Sequence, residues 1–495
     1  MWLFFLWVII IALTLLLLVT TSIRVRRRRG VAFFHPYAEC RGGGERVLFL
    51  SIQAVQEMDP NLPIFVYCGC KTLTGVEILE AAKQTFKINK FPRPDNIHFV
   101  QQPSLKNLRF LLEPSTYPRL TLLGQSIGSM IVAAAALWEM PADIFIDTTG
   151  FAFTYPIAWI CGCKVISYTH YPTVSTDMIT VVKSGKEAFN NSKLLANITL
   201  FRRLKVWYYK VFAWIYGVVG QFSHLVLVNS SWTLNHIVAL WNVPDRTHIL
   251  YPPADTKYLQ KFAVDRRAPP RCQPSSSSSS STNLVISLGQ FRPEKNQELQ
   301  LRAFARFLRN HRQQQQQQEK RPLEEKKGKR IDDKNIKLVL IGGCRNEDDQ
   351  KRVKNLKHLA STLGILDRVV FEVNASFKLL VEYLAAAHVG LHTMVNEHFG
   401  IGVVEFMAAG VIPVAHRSGG PLMDIVIKHK GQDVGFLAET EEEYASCISK
   451  VLNLEPAKRR KICEIGRDRV NQFSNEEFLN RFKKLSKSVI FPGKR

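Results

Sequence analysis

The stretch "NEHFGIGVVEFMAAGVIPVAHRSGG", Asn396 to Gly420, reads as loop, helix, strand and glycine turn. The preceding "HVGLHTM" is a short β-branched apolar run, the pattern of a buried strand. "GVVEFMAAG" is a short helix closed by Gly410, and "GVIPVAH" is the next strand. Glu397 falls in the loop and Glu405 in the first turns of the helix, eight positions on. Between them Gly400, Ile401 and Gly402 leave backbone N–H groups able to face a phosphate. Carboxylates beside a phosphate repel it, so their natural partners are neutral hydroxyls, as on a sugar or a ribose. Taken alone, a pair of glutamates at this spacing is better read as solvated side chains. The glycines between them and "RSGGP" after the next strand favour a binding role.

Outward from this stretch the same rhythm repeats. "GVAFFHP", "LPIFVYCG", "NIHFVQQ", "ADIFIDTTG", "CKVISYTHY" and "HLVLVNSS" read as strands in the first half. "NLVISLGQF", "IKLVLIGG" and "RVVFEVN" join the last two in the second half. Short, nearly continuous apolar runs alternating with helical patterns require parallel strands covered on both faces. The fold class is therefore α/β, with two doubly wound Rossmann-like domains expected to face a shared cleft. We place the first at residues 30–231 and the second at 283–440, with helices over 441–495 packing back on the domains. The serine run at 275–281 and the glutamine- and charge-rich tract at 313–334 read as surface inserts.

Two further segments carry chemistry. "HPYAECRGGGERVL" sets glycines Gly42 to Gly44 between the first strand and a helix expected to open at Glu45, so Gly43 and Gly44 allow close backbone approach to a ligand. In "SLGQFRPEKNQ", Gly289 ends the first strand of the second domain, and Arg292 and Lys295 follow. Cations at a helix start oppose the helix dipole, which suggests a compensating anion such as a diphosphate. The alternative is a solvated pair. His170, in "YTHYP", stands at a strand end, and its residue type alone fits a core histidine as well as a ligand contact.

The formal charge of +24 over 495 residues allows nucleic acid, acidic lipid or phosphorylated small molecules as partners. No helix-turn-helix, zinc-finger or RNA-binding signature is present, which argues against nucleic acid. The C-x-C pairs Cys68/Cys70 and Cys161/Cys163 lack a second metal-ligand cluster and read as buried reduced thiols, the cytosolic pattern. Trp2 to Ile23 is uncharged, and at about 1.5 Å per residue it spans roughly 33 Å, enough for a bilayer. "RVRRRR" follows, so a transmembrane anchor with the rest of the chain in the cytosol is expected rather than a cleaved signal peptide. The sequons at Asn190, Asn197, Asn229 and Asn374 are then expected to be unused. Val206 to Val228, rich in aromatics but broken by Lys210, Gly217, Gly220 and His224, reads as a core helix and strand with a face toward the bilayer, or as a second span. Ile127 to Met140 would help form such a surface.

"EHFGIGVVE" resembles the E-x7-E signature of retaining GT-B glycosyltransferases that use nucleotide sugars, and "GQFRPEKNQ" resembles their phosphate-binding segment. "FFHPYAECRGGGERVL", "YTHYPTVSTDM", "YPPADT" and "NEHFGIGVVEFMAAGVIPVAHRSGGP" are similar to the dolichol-pathway α-1,2-mannosyltransferases of asparagine-linked glycosylation. The likeness runs from about Ala32 to Phe491, and departs at the two inserts and at Ala38 to Cys40 before the glycines. It implies the GT-B fold and transfer of mannose from GDP-mannose, with retention, to a dolichol-diphosphate oligosaccharide at the cytosolic face of the endoplasmic reticulum. In that reading Arg292 and Lys295 neutralise the departing diphosphate, Glu405 holds the ribose, and Glu397 with Gly400 to Gly402 orients the mannose. Gly43, Gly44 and Gly289 serve the donor phosphates, and His170 contacts sugar or acceptor. No metal and no cofactor are implied. The implied partners are the donor, the lipid-linked acceptor, the endoplasmic reticulum membrane and other mannosyltransferases of the pathway. Rival readings are a retaining transferase with another donor, a GT-B epimerase, and an inactive scaffold.

Overall fold

The run Arg28–Phe34 forms strand β1 because its inner residues alternate between two apolar layers. Val31 and Phe33 join one buried cluster, while Ala32 and Phe34 join the other. The computed structural model describes Trp7, Thr14 and residues 17–88, 91–174, 199–261, 283–319 and 335–493. The chain divides into one unit of Met1–Pro253 with Phe478–Arg495 and a second of Ala254–Glu477.

In the first unit β1 is followed by α1 (Gly43–Met58), β2 (Ile64–Tyr67), α2 (Gly75–Phe86) and β3 (Ile97–Val100). Next come α3 (Thr121–Glu139), β4 (Ala142–Asp147), α4 (Thr154–Ile160) and β5 (Lys164–Thr169). The series closes with α5 (Thr199–Gly220), β6 (Leu225–Val228), α6 (Ser231–Trp241) and β7 (Thr247–Ile249). The seven strands lie in the order β3-β2-β1-β4-β5-β6-β7. β1 pairs in parallel with both β2 and β4, Val31 lying opposite Ile64 and Ile144. Strand order therefore reverses at β1/β4, where a doubly wound sheet opens a crevice at its carboxyl edge. Helices α1 and α2 cover one face, and α3, α4 and α5 cover the other.

The second unit repeats the plan with β8 (Asn283–Leu288), α7 (Gln297–Glu319), β9 (Ile336–Gly342), α8 (Glu347–Thr362) and β10 (Val369–Val373). It continues through α9 (Phe377–Ala386), β11 (Ala387–His392), α10 (Ile401–Ala409), β12 (Ile412–His416) and β13 (Phe436–Ala438). Its order is β10-β9-β8-β11-β12-β13, with Val285 of β8 opposite Leu338 and Val389. Helices α11 (Glu441–Leu452) and α12 (Pro456–Arg469) follow, and α13 (Asn475–Ile490) returns the chain to the first unit. There Phe478 and Phe482 are buried in the core, each contributing about 1.5–3 kcal/mol.

Several expectations change. β7 and β13, three-residue edge strands, were not foreseen. Helix α1 begins at Gly43, not Glu45, so the glycines themselves make its first turn. The glutamine run does not start an insert, since α7 continues through it to Glu319. Glutamine is a good helix former, so the preceding helix propagates into the tract. A second membrane span over Val206 to Val228 is excluded, because β6 is a buried strand paired on both sides. The serine run, the remainder of the second tract, and Asn190 and Asn197 lie outside the described residues. So does most of the expected anchor; its last part belongs to a helix over 17–26. Among the described residues, the helix long and apolar enough to cross a membrane is α3. One side of it packs Val132, Ala133, Ala136 and Leu137 into the core. The C-x-C cysteines are free and buried, and burial pushes the Cys68 and Cys163 thiols up to about 12.

Candidate functional site

Both switch points carry residues singled out from the sequence. In the second unit β8 ends at Leu288, and Gly289 leads into a 3-10 turn, Pro293–Lys295, ahead of α7. The Lys295 ammonium donates to Glu397 Oε2 at 2.6 Å and lies 3.3 Å from the Met394 sulfur. Thr393 locks the turn to the end of β11, its hydroxyl donating to the Lys295 carbonyl at 2.8 Å. Arg292 stands apart, its guanidinium 3.6 Å from Glu294. The sequence pair is thus split between two carboxylates: Lys295 bonds Glu397, and Arg292 pairs with Glu294.

Glu397 has a second partner that the sequence reading missed. His392, the last residue of β11, places Nε2 at 3.1 Å from the same carboxylate oxygen. An ionised carboxylate only accepts, so Nε2 carries the proton. Burial alone would raise the Glu397 carboxyl. The His392 hydrogen bond and the Lys295 charge outweigh it and hold the group well below the usual carboxylate range. Tyr444 fixes His392 in turn by donating to its carbonyl at 2.8 Å. The available signal was position: a histidine ending a strand at the switch point, five residues before the glutamate.

The loop around Glu397 is clasped by "SGG". The Ser418 hydroxyl accepts the Asn396 N–H at 2.7 Å, and the Gly420 N–H donates to the Glu397 carbonyl at 2.7 Å. A Cβ on Gly420 would sit 2.4 Å from the Phe399 carbonyl oxygen, so only glycine permits this approach. Gly400 caps α10 with φ of 110°, a conformation that favours glycine. It turns the chain so that Ile401 and Gly402 open the helix. The first N–H groups of a helix lack intrahelical partners, and no acidic side chain occupies this first turn. Glu405 lies one turn further along, half-buried. A carboxylate, an ammonium and a helix start are therefore gathered at one carboxyl edge, suited to a ligand with both hydroxyls and phosphates.

In the first unit the structure joins Gly44 and His170, which are far apart in sequence. A Cβ on Gly44 would lie 3.7 Å from His170 Nε2. That nitrogen is 3.0 Å from the Thr148 carbonyl, just beyond β4. Asn229 donates its amide to the His170 carbonyl at 2.8 Å, so this sequon is occupied inside the fold. Beneath lies a second unforeseen group. His35 bonds Thr148 Oγ1 at 2.7 Å and Glu45 Oε1 at 3.2 Å. Glu45 Oε2 accepts the Gly42 N–H at 2.5 Å, fixing the turn from which Gly43 and Gly44 start α1. Burial opposes charge on Glu45, but the bonds from His35 and the backbone prevail and lower its carboxyl.

Two doubly wound parallel units, the second with this Glu–Lys–glycine edge, define a GT-B-type glycosyltransferase. Solved structures share the fold. Anabaena Alr3699/HepE in complex with UDP and glucose superposes with a TM-score of 0.57 at 16% identity, covering 93% of this chain and all of that one. Sucrose-phosphate synthase from Thermosynechococcus elongatus gives 0.61 at 16% identity over 93% of this chain and 99% of that one. Residues 272–469 match the family "Glycosyl transferases group 1", and residues 28–241 match "ALG11 mannosyltransferase N-terminus". The mouse and human proteins named GDP-Man:Man(3)GlcNAc(2)-PP-Dol alpha-1,2-mannosyltransferase are each 44% identical over 461 residues, 93% of this chain and 87% of theirs. The Caenorhabditis elegans protein of that name is 37% identical over 98% of this chain and 97% of its own. The chain belongs to this family of α-1,2-mannosyltransferases.

Proposed function

We infer that the chain transfers mannose from GDP-mannose, with retention of configuration, to Man3GlcNAc2 carried on dolichol diphosphate, adding the fourth and fifth mannoses in α-1,2 linkage. The observation that carries this is the 44% identity to enzymes named for that reaction, spread over 93% of the chain. The site supplies the chemistry. Departure of GDP builds negative charge on the diphosphate, and Lys295 and Arg292 are the cations assigned to meet it. The N–H groups at Gly400, Ile401 and Gly402 and the open backbone at Gly289 serve the same phosphates. Glu405 accepts hydrogen bonds from the ribose hydroxyls. Glu397, kept ionised, accepts from the mannose hydroxyls and favours the oxocarbenium-like charge at the reacting carbon. His392 is a positioning residue that aims the Glu397 carboxylate. For the first unit we assign donor-phosphate N–H groups to Gly43 and Gly44 and a sugar contact to His170. The acceptor is too apolar to leave a bilayer, so we place the enzyme at the cytosolic face of the endoplasmic reticulum, anchored by Trp2 to Ile23.

The test uses purified protein in detergent with GDP-mannose and a phytanyl-diphosphate-linked Man3GlcNAc2. Product masses one and then two hexoses heavier are expected, and are expected to vanish in Glu397→Ala and Lys295→Ala. Transfer from a different nucleotide sugar alone would overturn the donor, and absence of transfer from any donor would favour an inactive scaffold.

A further inference from the structure

His35 is buried and titratable, and no role assigned above uses it. It follows β1 directly, and its N–H donates to the Tyr67 carbonyl at 3.3 Å, so its backbone continues the sheet. The residue is 1% exposed, yet both ring nitrogens are engaged. Nδ1 lies 2.7 Å from the Thr148 hydroxyl and Nε2 lies 3.2 Å from Glu45 Oε1. Glu45 is held ionised and only accepts, so Nε2 carries the proton. Each partner leads on to a residue assigned to the substrate. Glu45 Oε2 accepts the Gly42 N–H, which sets the turn from which Gly43 and Gly44 open α1. Thr148 offers its carbonyl to His170 Nε2 at 3.0 Å. The turn that carries Thr148 is itself fixed. The buried Asp147 carboxylate accepts from the Thr149 N–H, the Gly150 N–H and the Tyr155 hydroxyl, the last at 2.7 Å. Gly44 faces both imidazoles: a Cβ there would stand 3.7 Å from His170 Nε2 and 4.0 Å from His35 Cε1.

We propose that His35 is a positioning residue for mannosyl transfer, holding the glycine start of α1 and the His170 imidazole in one fixed geometry through Glu45 and Thr148. The inference rests on the roles given above to Gly43, Gly44 and His170. Three features favour positioning over packing. The first is place. The network sits at the carboxyl ends of β1 and β4, the switch point of the sheet, where ligands of this fold bind. The second is need. Gly42, Gly43 and Gly44 carry no side chain by which the turn can be held, so Glu45 holds it, and Glu45 is held in turn by His35. The third is cost. A buried polar group without a partner costs about 1–3 kcal/mol, so apolar side chains would serve simple packing better than this set of paired ones. A fully paired network instead selects a single arrangement of the groups it joins. That matters for transfer, because a misplacement of about 1 Å at a reacting centre can cost about 10²-fold in rate.

The test compares the full chain in detergent as wild type, His35→Ala, His35→Gln, Thr148→Val and the double variant His35→Ala/Thr148→Val, with GDP-mannose and phytanyl-diphosphate-linked Man3GlcNAc2. His35→Ala should lower kcat by about 10–10²-fold and leave the acceptor KM within about threefold, the split expected when only the transition state loses alignment. His35→Gln, whose amide still donates to Glu45, should regain about tenfold of that loss. Thr148→Val should lower kcat alone and add nothing to His35→Ala, since the two residues act through one bond. Equal losses in the alanine and glutamine variants, additive losses in the double variant, or an unchanged kcat would each make His35 a packing residue and overturn the proposal. Hydrogen exchange on the ligand-free protein gives a second reading that needs no turnover. Amides of residues 42–46 and of residues 148–150 should both exchange faster in His35→Ala, and His35→Gln should restore the first segment alone. Loosening of only one segment in His35→Ala would refute the link. Failure of the mannosyl-transfer reading would leave the exchange result standing, and failure of the exchange result would leave transfer by wild type intact.

Discussion

Replacing Lys295 by Met separates what the ion pair does for folding from what it does for turnover. At 2.6 Å the attraction between Lys295 and Glu397 is about 6 kcal/mol at an effective dielectric of about 20. Most of this is offset. The side chains are 26% and 14% exposed, so both have lost part of their hydration, and Glu397 keeps its bond to His392 when Lys295 is gone. A net loss of about 1–3 kcal/mol remains, chiefly from a carboxylate left buried without its counter-charge. Lys295→Met should therefore lower the thermal midpoint of the ligand-free protein by about 2–4 °C per kcal/mol. Glu397→Gln removes the charge itself, so the double variant Lys295→Met/Glu397→Gln should recover most of the stability lost in the lysine variant. Mannosyl transfer should not recover if both groups act on the donor as proposed; each single change should then cost about 10²–10³-fold in kcat. A scanning-calorimetry cycle run beside product mass spectrometry reads both quantities. A double variant no more stable than Lys295→Met would refute the reasoning, since the glutamate would then not be the group left uncompensated.

Three further outcomes follow from the same geometry. Glu397 has a depressed folded carboxyl, so its stabilisation is complete above the unfolded value near about 4.3 and fades as pH falls toward the folded one. Melting curves should show any advantage of wild type over Glu397→Gln holding above about pH 5 and shrinking as pH falls from about 5 toward about 3; a constant gap across that range would contradict the charged partnership. Gly420→Ala forces a Cβ to within 2.4 Å of the Phe399 carbonyl oxygen, so it should destabilise by about 1–3 kcal/mol and raise the GDP-mannose KM. Wild-type KM in that variant would show that the loop tolerates the shift. His392→Gln, which can still donate to Glu397, should retain about tenfold more kcat than His392→Ala at similar melting temperatures. Equal losses would point to a merely structural histidine.

The strands that frame the site were readable from the sequence because buried parallel strands are written as short continuous apolar runs. β7, with the residues Thr247–Ile249, and β13, with Phe436–Ala438, were not. Three residues are too few for a period, and edge position relaxes the apolar requirement. The E-x7-E spacing and the glycines were legible as local features of one loop and one helix start. The partnerships within the site were not. Lys295 reaches Glu397 across about a hundred residues, and His170 meets Gly44 only because β1, β4 and β5 lie side by side. His35, Glu45 and His392 escaped notice for the same reason: each looks like an ordinary core or cap residue until the strand order sets its neighbours. The helical glutamine run failed differently. Low complexity suggested an insert, whereas local propensity simply extended α7.

The most direct measurement of the central claim is the fate of the hexose after incubation with GDP-mannose and the lipid-linked Man3GlcNAc2 acceptor. The glycan should gain two hexoses, both removable by an α-1,2-specific mannosidase, with one GDP released per hexose and no product from Glu397→Ala. Hexoses resistant to that enzyme, or undiminished product from the glutamate variant, would contradict the reaction or the site assigned to it.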